Sequence, residues 1–246
     1  MSFSIEGKVA LVTGANRGIG KAIVESLIAH GAKKVYLAVR NPETTLELSQ
    51  RYGDKVLALQ FDASDEQSFT ALAEQAQDVE LVVNNAGVLE PAAPLSDNAV
   101  KALEYEMTVN VYGLIHIAQK FAPILQEKSE AAFVQLNSVA SIKNFTPFTT
   151  YSASKAAAYS ITQGLKDEFA EKGIQVLSVH PGPIKTDMAA QAGFDEADPA
   201  SSVSEGIVKA LASGDFHLFP DSMAKMFESE YQSYATNIIT ADLSGE

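Results

Sequence analysis

The sequence predicts an α/β fold in which a mainly parallel sheet is covered by helices on both faces. Apolar, β-branched runs alternate with helix-period segments through most of the 246 residues. The runs are nearly continuous rather than alternating, which is typical of strands buried on both faces. Alternation of strands and helices implies parallel strands joined by right-handed crossovers. Because no Pro-, Gly- or Ser-rich linker or repeat interrupts this order, we expect residues 1–246 to form one domain.

Seven strands and six helices are predicted in this order. The strands are residues 8–13, 34–39, 56–61, 80–84, 132–137, 175–180 and 216–219. The helices are residues 18–30, 42–52, 65–77, 95–126, 151–172 and 201–212. Asp65 is suited to cap the third helix, and Gly31 and Gly173 follow the first and fifth helices, where a left-handed cap is favoured. Residues 235–246 have no clear periodicity and are expected to form a loosely held tail.

Charge and composition argue against several classes of protein. Lys and Arg total 18 against 31 Asp and Glu, which gives a net charge of −13. That balance argues against a surface that binds nucleic acid or anionic lipid. No run approaches the ~18 apolar residues of a membrane span, and no basic segment precedes an apolar stretch at the amino terminus. A cytoplasmic protein without nucleic-acid or membrane partners is therefore expected.

Residue types also exclude some kinds of site. The chain has no Cys, so disulfides, Cys-based zinc sites and thiol nucleophiles are impossible. The four His residues are scattered and form no pair at metal-ligand spacing, so no metal site is expected. His180 ends an apolar strand and is expected to be a packed core residue. No G-x-S-x-G motif supports a hydrolase.

A glycine cluster links the first strand to the first helix. Residues 13–20 read TGANRGIG, in which Gly14, Gly18 and Gly20 have the spacing G-x3-G-x-G. Glycines permit a sharp turn and let a pyrophosphate approach main-chain N–H groups without a Cβ in the way. The start of the following helix also favours an anion. A tight turn without a ligand is the alternative, but this clustering at the first strand–helix junction favours a dinucleotide site.

This loop and several later motifs together resemble the short-chain dehydrogenase/reductase family. The later motifs occur along the chain in the family's order. They are NNAG at 84–87, Asn110 within VNVYG, Ser138, Tyr151-x3-Lys155, and Pro181-Gly182 with Thr186 close behind. The matches extend from about Gly7 to Thr186. The resemblance implies a Rossmann-type, doubly wound, seven-stranded domain that carries the cofactor and catalytic sites together.

The catalytic group is expected to be Asn110, Ser138, Tyr151 and Lys155. Tyr151 and Lys155 are four residues apart on a predicted helix, so their side chains share one face. A nearby ammonium favours phenolate, so Lys155 is expected to lower the pKa of Tyr151, which acts as general acid or base. Ser138 is suited to stabilise charge that develops on the substrate oxygen. The resemblance adds that Lys155 holds the nicotinamide ribose and that Asn110 holds a water that links Lys155 to solvent.

The end of the second strand predicts the cofactor. NAD-specific folds place an acidic residue there to bind the ribose 2′-hydroxyl, whereas this chain has Val39 followed by Arg40. Arg40 offers a planar donor fork for a phosphate and Arg17 adds a second positive charge, so NADP(H) is the expected cofactor. The resemblance places Asp62 at the adenine. The expected cofactor-binding residues are Gly14, Asn16, Arg17, Gly18, Ile19, Gly20, Arg40, Asp62, Asn85, Ala86, Gly87, Tyr151, Lys155, Pro181, Gly182, Ile184 and Thr186.

The substrate site is expected to be apolar and next to a mobile loop. By resemblance the pocket for a small-molecule carbonyl or alcohol is lined by Leu89, Ile142, Phe145, Phe148 and Met188. Residues 187–200 occupy the position of the family's mobile substrate loop, with Gly193 as its hinge.

Two long helices predict self-association. Residues 95–126 and 151–172 carry apolar side chains beyond one core-facing stripe, for example Ile115, Phe121, Ala157 and Ile161. Paired helices of this kind form dimer interfaces in the family, so a homodimer or a homotetramer is expected.

Three functions remain open from the sequence. The first is an NADPH-dependent reductase of a ketone or aldehyde, and the second is an NAD-linked alcohol dehydrogenase of the same fold. The third is a dinucleotide-binding regulatory protein without turnover. The complete set of catalytic residues argues against the third, since a sensor does not need it.

Overall fold

The strands form one seven-stranded sheet in this computed structural model, which describes residues 2–191, 193 and 197–241. The strand order is β3-β2-β1-β4-β5-β6-β7, and every neighbouring pair is parallel. The strands are β1 Val9–Thr13, β2 Lys34–Val39, β3 Val56–Gln60, β4 Leu81–Asn84, β5 Ala131–Leu136, β6 Ile174–Val179 and β7 His217–Leu218. The predicted doubly wound parallel sheet is confirmed, with each strand end within one residue of its predicted position.

Nine α-helices are present among the described residues. They are α1 Gly18–Ala29, α2 Leu46–Tyr52, α3 Glu66–Gln75, α4 Ala99–Glu106, α5 Gly113–Leu125, α6 Thr149–Ala170, α7 Asp187–Gln191, α8 Ala200–Ser213 and α9 Ser222–Tyr234. Asp65 caps α3 as expected, since its carboxylate accepts a hydrogen bond from the Gln67 N–H at 3.0 Å. Gly31 adopts a left-handed φ of 86° just after α1, also as expected.

Three helical regions differ from the prediction. The predicted helix 95–126 is divided, because a π-helical segment, Met107–Tyr112, separates α4 from α5. The predicted helix 42–52 begins as a 3-10 turn, Pro42–Thr45, before α2. Helix α9 was not predicted, and it continues into the π-helical turn Ala235–Ile239 at the start of the predicted tail. Residues 242–246 of that tail lie outside the described residues.

Helices cover both faces of the sheet. On one face Leu27 of α1 and Ile207 of α8 are buried against the strands. On the other face Phe121 of α5 and Phe169 of α6 are buried, and the Phe169 ring meets Phe133 of β5 edge to face at 5.7 Å between centroids. Burial of these large side chains fixes the strand ends from which the active-site residues project.

The surface expected for self-association is smaller than predicted. The prediction that Phe121 lies beyond the core-facing stripe is wrong, because this ring is fully buried in the core of the monomer. Ala157 and Ile161 are partly buried against the same core. Oligomeric state therefore stays a prediction.

The strand order places a crevice beside β1. The chain passes from β1 outward to β2 and β3, and returns to β4 on the other side of β1. Connections that leave in opposite directions open a crevice at the carboxyl ends of the strands, where ligands bind in open α/β sheets. Among the described residues no helix is long and apolar enough to cross a membrane.

Candidate active site

The glycine loop between β1 and α1 is packed against its own backbone. Gly14 and Gly18 have φ values of 65° and 53°, which disfavour residues with a Cβ. A Cβ on Gly20 would lie 2.1 Å from the Gly14 carbonyl oxygen, so only glycine fits there. The Arg17 side chain makes no capping hydrogen bond to the first turn of α1. The loop therefore presents the N–H end of α1 to the crevice, as an anion site requires.

The loop that follows β4 lies directly beside the glycine loop. The Thr13 hydroxyl accepts hydrogen bonds from the N–H groups of Asn85 and Ala86, each at 2.9 Å. The Asn85 side-chain amide donates to the Thr13 and Gly14 carbonyl oxygens at 2.9 and 3.3 Å. These bonds join the ends of the two strands that border the crevice. An amide side chain suits position 85, because its NH2 group donates to both carbonyl oxygens.

A cleft of about 580 Å³ runs along the carboxyl edge of the sheet. Arg40 and Asp62 line one end of it, the glycine loop lines the middle, and Tyr151 and Met188 line the other end. Every cofactor-binding residue expected from the sequence lines this cleft. The volume lies in the range of small-molecule sites, which is roughly 300–1,000 Å³.

The expected catalytic side chains Tyr151, Lys155 and Ser138 converge in the same cleft. Tyr151 lies in the first turn of α6 and is partly exposed, whereas Lys155 is 5% exposed. The Lys155 Nζ donates to the Leu136 carbonyl oxygen at 2.8 Å and lies 5.7 Å from the centroid of the Tyr151 ring. Ser138 follows β5, and its Oγ accepts from the Ala140 N–H at 3.1 Å and donates to the Pro181 carbonyl oxygen at 3.3 Å.

The expected effect of Lys155 on Tyr151 is wrong. Burial raises the pKa of Tyr151 to about 12, a hydrogen bond with Ser138 opposes this rise, and the charge of Glu106 adds to it. Burial also lowers the pKa of Lys155 to about 8, and Lys155 is not among the groups that shift the pKa of Tyr151. The ammonium is directed at the Leu136 carbonyl. In this structure Tyr151 therefore holds its proton more firmly than a free phenol does.

Asn110 lies behind the cleft wall rather than in it. It sits in the π-helical segment, and its Oδ1 accepts from the Val88 N–H while its Nδ2 donates to the Val88 carbonyl oxygen, both at 2.9 Å. The same Nδ2 lies 3.0 Å from the Ser154 Oγ. A Cβ on Gly87 would lie 3.2 Å from the Asn110 Oδ1 and 3.6 Å from the Lys155 Nζ, so both side chains border Gly87. The water that Asn110 was expected to hold stays a prediction.

The charged end of the cleft contains Arg40 and Asp62. The Ser64 N–H and hydroxyl donate to the Asp62 carboxylate at 2.9 and 2.7 Å. The hydrogen bond from the Ser64 N–H is the main reason that the pKa of Asp62 is lowered, and the charge of Arg40 adds to it. Arg40 is exposed. Arg17 is engaged elsewhere, because its Nη1 donates to the Asp187 carboxylate of α7 at 3.1 Å.

A search of family models matches residues 8–197 to the short chain dehydrogenase family. The chain belongs to this family. An uncharacterized oxidoreductase from Staphylococcus saprophyticus is 31% identical over 218 residues, which cover 84% of this chain and 92% of the relative. An uncharacterized oxidoreductase from Staphylococcus aureus strain USA300 is 32% identical over 209 residues, covering 83% of this chain and 89% of the relative.

Solved structures of short-chain dehydrogenases have the same fold. One from Burkholderia cenocepacia J2315, in complex with NADP, superposes with a TM-score of 0.87 at 30% identity and covers 97% of this chain and 100% of its own. One from Burkholderia phymatum, in complex with NAD, has a TM-score of 0.82 at 25% identity and covers 98% of this chain and 99% of its own. This short-chain dehydrogenase is therefore an oxidoreductase with a fold that binds a nicotinamide dinucleotide.

The apolar end of the cleft is close to the expectation, with one exception. Leu89, Phe145, Phe148 and Met188 line the cleft, whereas Ile142 packs against a small cluster around Phe219. The predicted mobile loop 187–200 includes α7, and its residues 192 and 194–196 lie outside the described residues. Gly193 has a φ of 81°, a conformation that glycine favours. The mobility of this loop stays a prediction.

Sequence reasoning missed the contribution of α9. Met223 of this helix lines the cleft, and Asp221 just before it accepts from the Gly182 N–H at 2.7 Å and the Ala224 N–H at 3.0 Å. Met223, Phe227 and Tyr231 are spaced four residues apart, which is a helical pattern from which this helix could have been predicted.

His180 is a packed core residue, as expected. It is fully buried, and its ring nitrogens lie 3.0 Å from the Ser141 hydroxyl and 2.8 Å from the Ser178 hydroxyl. Burial lowers the pKa of His180 to about 3, so the ring is neutral. Among the described residues no group of three or more His, Asp and Glu side chains is arranged to hold a metal ion.

Proposed function

We propose that this short-chain dehydrogenase is an NADPH-dependent reductase of a ketone or aldehyde on an apolar small molecule. The observation that carries the proposal is one cleft with two different ends. A protonated phenol, a serine hydroxyl and a lysine meet at the apolar end. Arg40 lines the other end, where β2 ends in Val39 rather than in an acidic residue. The proposed reaction is reversible, with alcohol oxidation as the reverse direction.

The residues present fit NADP(H). The glycine loop leaves a surface without Cβ atoms beside the N–H end of α1, which suits a pyrophosphate. Val39 ends β2 where a carboxylate would bind a 2′-hydroxyl and repel a 2′-phosphate, and Arg40 follows it. Of the three arginines in the chain, Arg17 and Arg40 line this cleft. The NADP complex of the Burkholderia cenocepacia relative supports the same choice.

The proposed proton donor is Tyr151. When bound, the nicotinamide nucleotide supplies the hydride that the carbonyl carbon receives. Tyr151 gives its proton to the carbonyl oxygen as negative charge develops there, and its pKa of about 12 keeps the phenol protonated at neutral pH. Ser138 turns its hydroxyl from the Pro181 carbonyl to the same oxygen and stabilises the charge. Alcohol oxidation would need the phenolate, so its rate is expected to rise with pH.

Lys155 and Asn110 are proposed to restore and orient the proton donor. The pKa of Lys155 is lowered to about 8, so near neutral pH its ammonium gives up a proton far more readily than a free lysine does. The Lys155 Nζ and the Asn110 Oδ1 border Gly87 from the same side, which supports the predicted relay from solvent to Tyr151. Lys155 is further proposed to bind the nicotinamide ribose.

The main alternatives are an NAD-linked alcohol dehydrogenase and a dinucleotide-binding protein without turnover. The relative from Burkholderia phymatum was solved in complex with NAD, so the first alternative is tested together with the proposal. The convergence of Ser138, Tyr151 and Lys155 argues against the second. The expected homo-oligomer and the expected cytoplasmic location stay predictions.

The proposal is tested with a panel of apolar ketones, aldehydes and alcohols, by following nicotinamide absorbance with NADPH and NADH. We expect reduction with NADPH to have a kcat/KM at least tenfold above that with NADH. Arg40→Ala should lower kcat/KM with NADPH by roughly 10–100-fold and with NADH by less than about threefold, since only NADPH loses a charge-assisted contact of about 1.5–3 kcal/mol.

Arg51→Ala is the matched control for the loss of one exposed arginine. Arg51 lies on α2 outside the cleft lining, and its Nη1 donates to Glu25 at 3.0 Å. In this variant kcat/KM should be unchanged with both NADPH and NADH. Equal losses with the two cofactors in Arg40→Ala, or a parent enzyme that prefers NADH, would contradict the proposed phosphate site. Absence of turnover with every carbonyl would contradict the reductase itself.

A further inference from the structure

Glu106 is a carboxyl group with no exposed surface, and the proposed reaction does not use its atoms. It is the last residue of α4, immediately before the π-helical segment that carries Asn110. Buried carboxyl groups are rare unless their oxygens are bound, so the partners of this group show what holds it there.

One oxygen of Glu106 binds the segment after β4, as the Asn110 side chain also does. Asn110 accepts from the Val88 N–H at 2.9 Å, and the Glu106 Oε1 accepts from the Glu90 N–H at 2.8 Å. The two side chains lie about one helical turn apart, and they bind N–H groups that are two residues apart, as in an extended segment. Leu89 stands between the two bound residues and lines the cleft.

The same segment is joined at its far end to the first turn of α6. Ala92 pairs with Phe148 in an isolated parallel bridge, and the Ala92 carbonyl oxygen accepts from the Thr149 N–H at 3.0 Å. Residues 88–92 therefore lie between the helix that carries Glu106 and the turn that carries Tyr151. A displacement of this segment would move Leu89 relative to the Tyr151 hydroxyl.

The Glu106 carboxyl also lies close to Thr150 in the first turn of α6. The Glu106 Oε2 and the Thr150 Oγ1 are both buried, and neither has a hydrogen-bond partner of good geometry among the described residues. They are nevertheless close enough for the hydroxyl to lower the carboxyl pKa, against the larger effect of burial, which raises it. Thr150 is the neighbour of Tyr151 in the chain.

We propose that Glu106 is a positioning residue. Its carboxyl ties the 88–92 segment to α4, and because that segment is joined to the first turn of α6, the tie fixes Leu89 and Tyr151 relative to each other. This inference rests on the proposed carbonyl reduction for its kinetic consequence. The structural tie itself is independent of the proposed function.

The charge of Glu106 has a second consequence at Tyr151. The titratable groups that face this carboxyl are Glu90 from the 88–92 segment and Tyr151 from α6, with Lys155 one turn further along α6. Glu90 raises the pKa of Glu106, and Glu106 raises the pKa of Tyr151. An ionised Glu106 therefore keeps the phenol protonated to higher pH. Glutamine at this position would keep an acceptor for the Glu90 N–H and remove the charge.

Three variants separate the tie from the charge: Glu106→Leu, Glu106→Gln and the control Glu104→Gln. Glu104 is exposed on the same helix and lies outside the cleft. In Glu106→Leu we expect kcat/KM for an apolar ketone to fall by roughly 10–100-fold with NADPH affinity unchanged, because a small misplacement of reacting groups has this effect. Glu106→Gln should stay within about threefold of the parent, whereas Glu104→Gln should match it.

Two further measurements distinguish the tie and the charge of Glu106 from a general loss of structure. Amide hydrogen exchange should show the Glu90 N–H protected in the parent and in Glu106→Gln, and unprotected in Glu106→Leu. The alkaline limb of the pH profile of reduction should move to lower pH by at least about half a unit in Glu106→Gln, since loss of a nearby negative charge lowers the pKa of the phenol.

Each outcome decides a stated point. Parent-like kinetics and Glu90 protection in Glu106→Leu would overturn the proposal. If Glu106→Leu fails to fold, hydrogen exchange of the parent decides, and an unprotected Glu90 N–H there would overturn the proposal. An alkaline limb of Glu106→Gln that coincides with that of the parent would contradict the charge effect alone. If the parent reduces no carbonyl, the proposed function fails, while the exchange comparison still tests the tie.

Discussion

The two ends of the cleft are built in different ways. At the nucleotide end the walls are main chain: a glycine loop, the N–H end of α1 and two strand ends joined by the Thr13 hydroxyl and the Asn85 amide. At the substrate end the walls are side chains from five separate parts of the chain, namely residues 88–89, residues 138–148, α6, α7 and α9. The nucleotide end therefore depends on short local motifs, and the substrate end depends on how distant elements pack.

The largest effect is expected at the substrate end, from the loss of one oxygen atom. Tyr151→Phe keeps the ring and removes the proton donor, so kcat of reduction should fall by roughly 10²–10⁴-fold. NADPH affinity, measured by fluorescence titration, should change by less than about twofold. Tyr112→Phe, at an exposed residue outside the cleft, should behave as the parent does. Parent-like turnover in Tyr151→Phe would show that the proton comes from another group.

A single methyl group is expected to damage the nucleotide end most. In Gly20→Ala the new Cβ would meet the Gly14 carbonyl oxygen at 2.1 Å, where only main-chain displacement relieves the clash. We expect loss of measurable NADPH binding and a free energy of unfolding that is lower by at least about 1–3 kcal/mol. Calorimetry and cofactor titration measure the two effects.

Gly164→Ala is the matched control for this substitution. Gly164 lies inside α6, and no atom lies within 4 Å of the position that its Cβ would take. Alanine there should raise the free energy of unfolding by about 0.5–1 kcal/mol, because it reduces the backbone entropy of the unfolded chain. If both variants retain cofactor binding, the close approach in the glycine loop is not required for it.

A smaller effect is expected from the wall that α9 contributes. Met223→Ala should raise KM for a bulky apolar ketone by about 3–10-fold and leave NADPH affinity unchanged, since it removes roughly 1–1.5 kcal/mol of apolar contact. Met226→Ala, at a residue of the same helix that is 60% exposed, serves as the control. An equal rise in KM for a small ketone such as acetone would indicate that the helix itself has shifted.

The sequence predicts the nucleotide end better because its information is local. The spacing of Gly14, Gly18 and Gly20 and the absence of an acid after β2 can be interpreted without tertiary structure. The parallel sheet also follows from the alternation of strands and helices, and its doubly wound form is implied by the family resemblance. The residues expected at this end all line one cleft.

The remaining features depend on burial, which no single segment encodes. The pKa of Tyr151 is opposite to the expectation because burial raises it more than the hydrogen bond with Ser138 lowers it, and the charge of Glu106 adds to the rise. Glu106 is one of many acidic residues in the sequence, and only its zero exposure distinguishes it. Phe121 has the spacing of an outer stripe, yet packing places it in the core. The π-helical segment around Asn110 has no sequence signature that periodicity detects.

The carboxylate of Asp221 has a consequence for how the protein is made. It accepts a hydrogen bond from the Gly182 N–H of the loop expected to bind the cofactor, and it is supplied from the start of α9, 39 residues after Gly182. During synthesis, β1 and the glycine loop leave the ribosome long before this partner exists, and domains tend to acquire structure as they emerge. The nucleotide end would then remain unfinished until α9 has been translated, so cofactor capture is expected to follow the synthesis of that helix.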